Sequence, residues 1–160
     1  MISLVPDTTV VVKVFLEEDE SPHAQALFQR AVNGEFHLVA PDFMAIEFGN
    51  VLWKHARQAR LTVEEARQAI DRLPFDHISW VPAEALLPRA FGFATRYGIA
   101  LYDAAFVSVA EMVGADFVTA DRALVRKVGR HLSWVRLLGD FSSPPSVPHR
   151  PAGLRERSLP

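Results

Sequence analysis

Cysteine is absent from the 160 residues, which excludes a disulfide framework and any thiolate-held zinc and suits a reducing compartment. A strong charge of one sign is missing too. The 17 basic and 19 acidic side chains leave a net charge of −2, so no global field attracts nucleic acid, and any such contact must come from local clusters. No apolar run reaches the roughly 18 residues of a membrane span. The opening MISLVPD has neither the basic region nor the long apolar region of a signal peptide. The six histidines are scattered without the i, i+4 spacing of a metal-binding helix face, and no internal repeat is visible. These absences leave the expectation of a soluble, unprocessed protein of the cytoplasm. With 49% apolar residues, the chain has the size and composition of one domain with a substantial core.

Strand-like and helix-like segments alternate along the chain. ISLVP reads as a strand ending at Asp7, SPHAQALFQRAVNG as a helix started by Ser21-Pro22 and stopped by Gly34, and FHLVAP as a second strand. Pro41 suits a first helical turn, and DFMAIEFGNVLWKHARQARL keeps helical periodicity up to a break at Leu61-Thr62. In TVEEARQAIDRL, Thr62 with Glu65 three residues later forms a capping box. DHISWVP then reads as strand, AEALLPRAFGFATRYG as a helix closed by Gly98, and DAAFVSVAEMVG as a helix closed by Gly114. DFVTAD is a further strand, RALVRKVG a helix and SWVRLL a last short strand. TTVVVKVFL is strand-like by propensity. A helix from about Thr9 is favoured, because Val11, Val14 and Phe15 share one face and the acidic EEDE that follows suits a loop.

This alternation predicts an α/β fold, a single domain over residues 1–141 with a parallel sheet of about four to five strands and helices on both faces. Residues 142–160 hold five of the eleven prolines and few large apolar groups. They are expected to form a Pro/Arg-rich, disordered tail.

Within that frame the acids fall at telling places. Asp7 ends the first strand, Asp103 opens a helix, and Asp121 follows the strand FVT. In open parallel sheets the strands' carboxyl ends and the following helix starts meet at one crevice, where ligands sit. Glu47 differs in lying inside a helix, on a stripe with Phe43, Asn50 and Lys54, where a carboxylate is at best half buried. Two like charges about 5 Å apart at an effective dielectric near 20 repel by roughly 3 kcal/mol. Protonation or a divalent cation offsets this, and an all-oxygen set without Cys or paired His selects Mg²⁺ or Mn²⁺ over zinc.

The fragments VPDTT, PDFMAIEFGNVLWK, YDAAFVSVAEMVGA and FVTAD, in this order and at these separations over residues 2 to about 140, resemble the PIN-domain ribonucleases of the VapC toxin type. The resemblance implies a three-layer PIN-like domain and an acidic quartet of Asp7, Glu47, Asp103 and Asp121, supported by Thr9, Asn50 and Thr119. Where the family usually has Ser, this chain has Thr9, which keeps the hydroxyl. Asp7 and Asp103 are the foremost candidate ligands of Mg²⁺ or Mn²⁺, with Glu47 and Asp121 acting directly or through water. The implied activity is endonucleolytic hydrolysis of RNA to a 5′ phosphate and a 3′ hydroxyl. The implied partners are RNA, a small VapB-like antitoxin and a second copy of the chain.

Each residue also has a plainer reading. Asp103 and Asp121 could simply cap their helices, Thr119 could be an ordinary strand residue, and Asn50 and Lys54 could satisfy Glu47 as a structural polar cluster. Arg122, Arg126, Lys127 and Arg130 form a candidate phosphate-holding set, or else a solvated helix face among fourteen Arg and three Lys, and Arg57 and Arg60 pose the same choice. The third and fourth helices carry surplus apolar side chains, including Leu52 and Trp53, which suit a homodimer face or a groove for an antitoxin peptide. A haloacid-dehalogenase-like phosphatase needs an acid two residues after the first, where Thr9 stands, and a receiver domain needs an acidic pair and a late Lys that are not evident. The rival that persists is a PIN-like module that binds RNA or protein without turnover.

Overall fold

The computed structural model describes residues 1–141, so the expectation for residues 142–160 lies outside the described residues. Five parallel strands, β1 (Ile2–Pro6), β2 (Phe36–Pro41), β3 (Ile78–Val81), β4 (Asp116–Thr119) and β5 (Val135–Leu137), form one sheet in the order β3-β2-β1-β4-β5. Seven α-helices connect them: α1 (Thr8–Phe15), α2 (Ser21–Val32), α3 (Met44–Arg57), α4 (Val63–Arg72), α5 (Ala83–Tyr97), α6 (Leu101–Val113) and α7 (Arg122–Val128). The chain leaves β1 towards β2 on one side and returns to β4 on the other. The switch in direction therefore falls between β1 and β4, registered by Leu4 opposite Asp116 and Pro6 opposite Val118.

Successive residues Leu4, Val5 and Pro6 of β1, and Phe117, Val118 and Thr119 of β4, are all buried. Side chains alternate between the faces of a strand, so both faces of the sheet are covered. On one face α6, backed by α5, packs on β1, β2 and β4. Its unbroken buried run Ala104–Ala110 explains why so apolar a segment is helical: small alanines admit close approach on one side while Phe106 stacks on Phe117 at 6.0 Å. The paired helices α1 and α2 also pack on the sheet. Helix α1 forms from Thr8 despite its β-branched sequence, because burying Val10, Val11 and Val12 outweighs a propensity spread of under ~1 kcal/mol per residue. No helix among the described residues is long and apolar enough to cross a membrane.

Three local expectations need correction. Pro41 is the last residue of β2, paired with Val81, and the amide of Asp42 continues the ladder to the Val81 carbonyl at 2.9 Å. Helix α3 consequently starts at Met44. It also ends at Arg57 rather than near Leu61, since Ala59 takes a left-handed turn at φ 55°. Leu52 is core, only 1% exposed, whereas its neighbour Trp53 is 56% exposed. The capping box of Thr62 and Glu65 forms as expected: the Glu65 amide donates to the Thr62 hydroxyl, and the Thr62 amide donates to the Glu65 carboxylate.

Candidate active site

The strand–helix junctions at the carboxyl edge of β1 and β4 build the site. Asp7 follows β1 directly and is the N-cap of α1, its Oδ1 accepting from the amide of Val10 at 3.1 Å. It is 4% exposed, and two hydroxyls hold its carboxylate. Thr9 donates to Oδ1 and Thr119 to Oδ2, each at 2.5 Å. Both hydroxyls also accept from the loop after β4: Thr9 Oγ1 from the amide of Ala120 at 3.1 Å, Thr119 Oγ1 from that of Asp121 at 3.0 Å. Asp7 is thereby tied to the Asp121 loop through two relays that also join the central strands. Burial raises the Asp7 carboxyl from 3.8 to about 6, against the lowering effect of Thr119, Thr9 and the Val10 amide, and Asp103 nearby raises it further.

Asp121 is the N-cap of α7, its Oδ1 accepting from the amides of Ala123 and Leu124 at 2.8 and 3.0 Å. The plainer capping reading thus holds for Asp121. It does not exclude a second role, because Oδ1 makes both of these bonds and the residue also lines the pocket described below. For Asp103 the N-cap role fails, while a place in the first turn, where the helix dipole favours an acid, holds. The cap of α6 is Ala100, and Asp103 stands within the first turn, half-buried. Its carboxyl is raised by burial first and then by the charges of Asp121 and Glu47, and lowered by Lys127.

Glu47 reaches the same place from α3. Phe43, one turn earlier, packs edge-on against Tyr102 and Phe106 of α6, with ring centroids at 5.3 and 5.6 Å, which brings the starts of α3 and α6 together. Glu47 Oε2 accepts a 2.5 Å hydrogen bond from Thr8. Sequence reasoning missed Thr8, which is only 8% exposed. Its partner is 39 residues away on another helix, and the only local signal was a second hydroxyl after Asp7. The plainer reading of Asn50 and Lys54 as partners of Glu47 is replaced by this contact.

All four acids line one open cavity of about 640 Å³, together with Thr8, Thr9, Lys13, Glu18, Asn50 and Lys54. Thr119 is completely buried behind Asp7. Of the α7 set, Arg122 pairs with Glu20 at 3.7 Å and Lys127 donates to the Gly98 carbonyl at 3.1 Å. None of Arg122, Arg126, Lys127 and Arg130 lines the cavity. Among the described residues no three His, Cys, Asp or Glu side chains converge closely enough to hold a metal ion. The acids therefore share a pocket without forming the tight ligand cage expected from the sequence. The cause is visible in their partners: Asp7 is turned to two threonines, Asp121 to helix amides and Glu47 to Thr8, and like charges gain by standing apart.

Comparison with known proteins agrees with this fold. Residues 4–130 match the PIN domain family. Ribonuclease VapC3 of Pyrobaculum aerophilum is 34% identical over 126 residues, covering 78% of this chain and 93% of that protein. The crystal structure of PAE2754 from Pyrobaculum aerophilum superposes with a TM-score of 0.65 at 20% identity, over 87% of this chain and 92% of that one. A toxin-antitoxin complex from Klebsiella pneumoniae gives a TM-score of 0.55 at 13% identity, over 84% and 97%. The family match over most of the chain and the 34% identity establish that this chain belongs to the PIN-domain family.

Proposed function

We propose that the protein is a metal-dependent endoribonuclease, the toxin of a toxin-antitoxin pair, with residues 1–141 as the nuclease unit and the cytoplasm as its place of action. The observation that carries this reading is the convergence of Asp7, Glu47, Asp103 and Asp121 on one pocket at the carboxyl edge. Supporting it are the ribonuclease name of the Pyrobaculum relative and the toxin-antitoxin complex among the structural neighbours.

The donors in the pocket are oxygens of high combined charge, which fits Mg²⁺ or Mn²⁺ in type. Asp7 and Asp103 would hold the ion, with Glu47 and Asp121 contributing directly or through water. When bound, such an ion offsets the carboxylate repulsion and stabilises charge developing on the phosphoryl and leaving oxygens. The chain's own groups do the rest. Thr8 fixes Glu47, which orients the attacking water and accepts its proton. Thr9 and Thr119 hold Asp7 ionised against burial. Water oxygen bonds to phosphorus as the P–O3′ bond breaks, and a proton passes to O3′, leaving a 5′ phosphate and a 3′ hydroxyl.

A small antitoxin would inhibit by laying a basic side chain over the acids, replacing the cation with an Arg or Lys. Exposed Ile46 and Trp53 on α3, with Phe91 on α5, supply apolar surface for a homodimer or for that antitoxin.

The test is incubation of pure protein with a mixed RNA pool in Mg²⁺, in Mn²⁺ and in chelator, with the ends mapped and Asp103→Asn alongside. Metal-dependent cleavage lost in the variant is expected, together with a melting temperature of wild type that rises in Mg²⁺ or Mn²⁺. No cleavage under either ion would leave a binding module. Wild-type overproduction no more harmful to a host than Asp103→Asn would remove the toxin role.

A further inference from the structure

Only three of the seventeen basic residues are lysines, and all three stand beside the acids. Lys13 and Lys54 line the pocket, while Lys127 is near enough to Asp103 to favour its charged form. Among the described residues no arginine lines it. Lys13 lies five residues beyond Thr8 on α1, and Lys54 seven beyond Glu47 on α3, with Asn50 between. At ~1.5 Å of rise per residue these are displacements of about 8 and 10 Å from the acidic centre. Both helices begin at the carboxyl edge and pack on each other, with Phe15 against Phe48 at 5.3 Å, and both lysines line the one pocket beyond its acids.

Their partners are few. The Lys54 side chain makes no hydrogen bond or ion pair with any described residue. The Lys13 side chain is 13% exposed and is held by Glu18 at 3.3 Å, and Glu18 lines the same pocket. A pocket with four acids repels a polyanion wherever a bound cation does not reach. The phosphate next to the one being cut therefore needs positive charge of its own. A lysine supplies such a charge as a mobile point charge on a flexible stem.

We propose that Lys13 and Lys54 form a phosphate subsite that holds the backbone phosphate adjacent to the scissile one, with Glu18 as the resting partner that this phosphate displaces from Lys13. The subsite rests on the nuclease reading.

The test uses full-length protein and a fluorescein-labelled, mixed-sequence single-stranded RNA. Anisotropy is read in chelator across a salt series, and cleavage in Mg²⁺. Lys54→Gln is expected to weaken binding about fivefold and to lower the salt slope by ~0.7, the value for one phosphate contact on a single strand. Lys13→Gln should act likewise, Lys54→Arg should retain affinity, and Glu18→Gln should tighten it. Arg67→Gln removes an equal charge on exposed α4 and should change neither quantity. In Mg²⁺, Lys54→Gln should raise KM by the same factor with kcat altered less than twofold. Lysine variants indistinguishable from Arg67→Gln in affinity and slope, or wild type that binds no RNA, would overturn the subsite. Wild type that binds but never cuts would refute the nuclease reading, while the anisotropy arm still decides the subsite.

Discussion

Replacing Asp7 by Asn should make the metal-free protein more stable, by an amount that depends on pH in a calculable way. Burial raises this carboxyl from 3.8 to about 6. At ~1.4 kcal/mol per pH unit, keeping it ionised in the fold costs roughly 3 kcal/mol relative to the unfolded chain. The sign follows from proton uptake. Between 3.8 and about 6 the folded state binds the extra proton, so wild-type stability falls as pH rises through that window; the penalty is absent below it and full above it. Asn keeps the shape and still caps α1. Its amide nitrogen, however, would face Thr119, which must turn from donor to acceptor, offsetting about 1 kcal/mol. A net gain of ~1–2 kcal/mol at pH 8 corresponds to about 2–8 °C in Tm for a chain of this size. Thermal melts of wild type and Asp7→Asn in chelator from pH 4 to 8 check this. The gain should shrink to nothing by pH 4, and millimolar Mg²⁺ at pH 8 should stabilise wild type more than the variant. A difference of the same size at both ends of the range, or a variant less stable at pH 8, would refute the electrostatic account.

Asp103→Asn should lower RNA cleavage at least 100-fold, read on the mapped substrate. It should also leave the chelated protein as stable as wild type or slightly more so, because the change relieves the Coulombic effect of Asp121 and Glu47 without disturbing the cap at Ala100. Thr8→Val frees Glu47 from its hydrogen bond and should reduce kcat roughly tenfold, about the 1.5 kcal/mol of one charged hydrogen bond, with Thr8→Ser recovering most of it. Thr62→Ala breaks the capping box and should cost about 1 kcal/mol in denaturant unfolding while cleavage stays unchanged.

The sequence placed Asp7, Glu47, Asp103 and Asp121 because each sits at a position that local chemistry marks, a strand end, a helix start or a helical stripe. What joins them was not legible. The donation from Thr8 to Glu47 crosses 39 residues, that from Thr119 to Asp7 crosses 112, and that from the Ala120 amide to Thr9 crosses 111; such contacts depend on how α1, α3 and β4 pack, which no local pattern encodes. Boundaries failed where tertiary register overrode local preference. Pro41 is held in β2 by its pairing with Val81, and α3 stops through a left-handed alanine that carries no Gly or Asn signal. Helix α1 was read correctly against its own β propensity because its apolar residues share a face, and sharing a face is a packing property visible in spacing. Leu52 was misjudged for the converse reason. It lies one turn from Phe48, and both are buried, so surplus apolar residues on α3 proved to be core on one side and surface only at Trp53 and Ile46.

The order β3-β2-β1-β4-β5 also governs when the activity comes into being. Asp7 is made first, yet one of the two threonines that hold it, one of the two strands beside β1 and the fourth acid arrive only with residues 116–121. A nascent chain that stops short of residue 116 has one edge of β1 open and lacks Asp121 from its carboxylate pocket. The pocket therefore cannot be assembled before residue 121 has been made. Any message truncated upstream of β4 yields a product that cannot assemble the pocket, so early stop codons disarm the protein by topology alone, without touching Asp7 or Glu47.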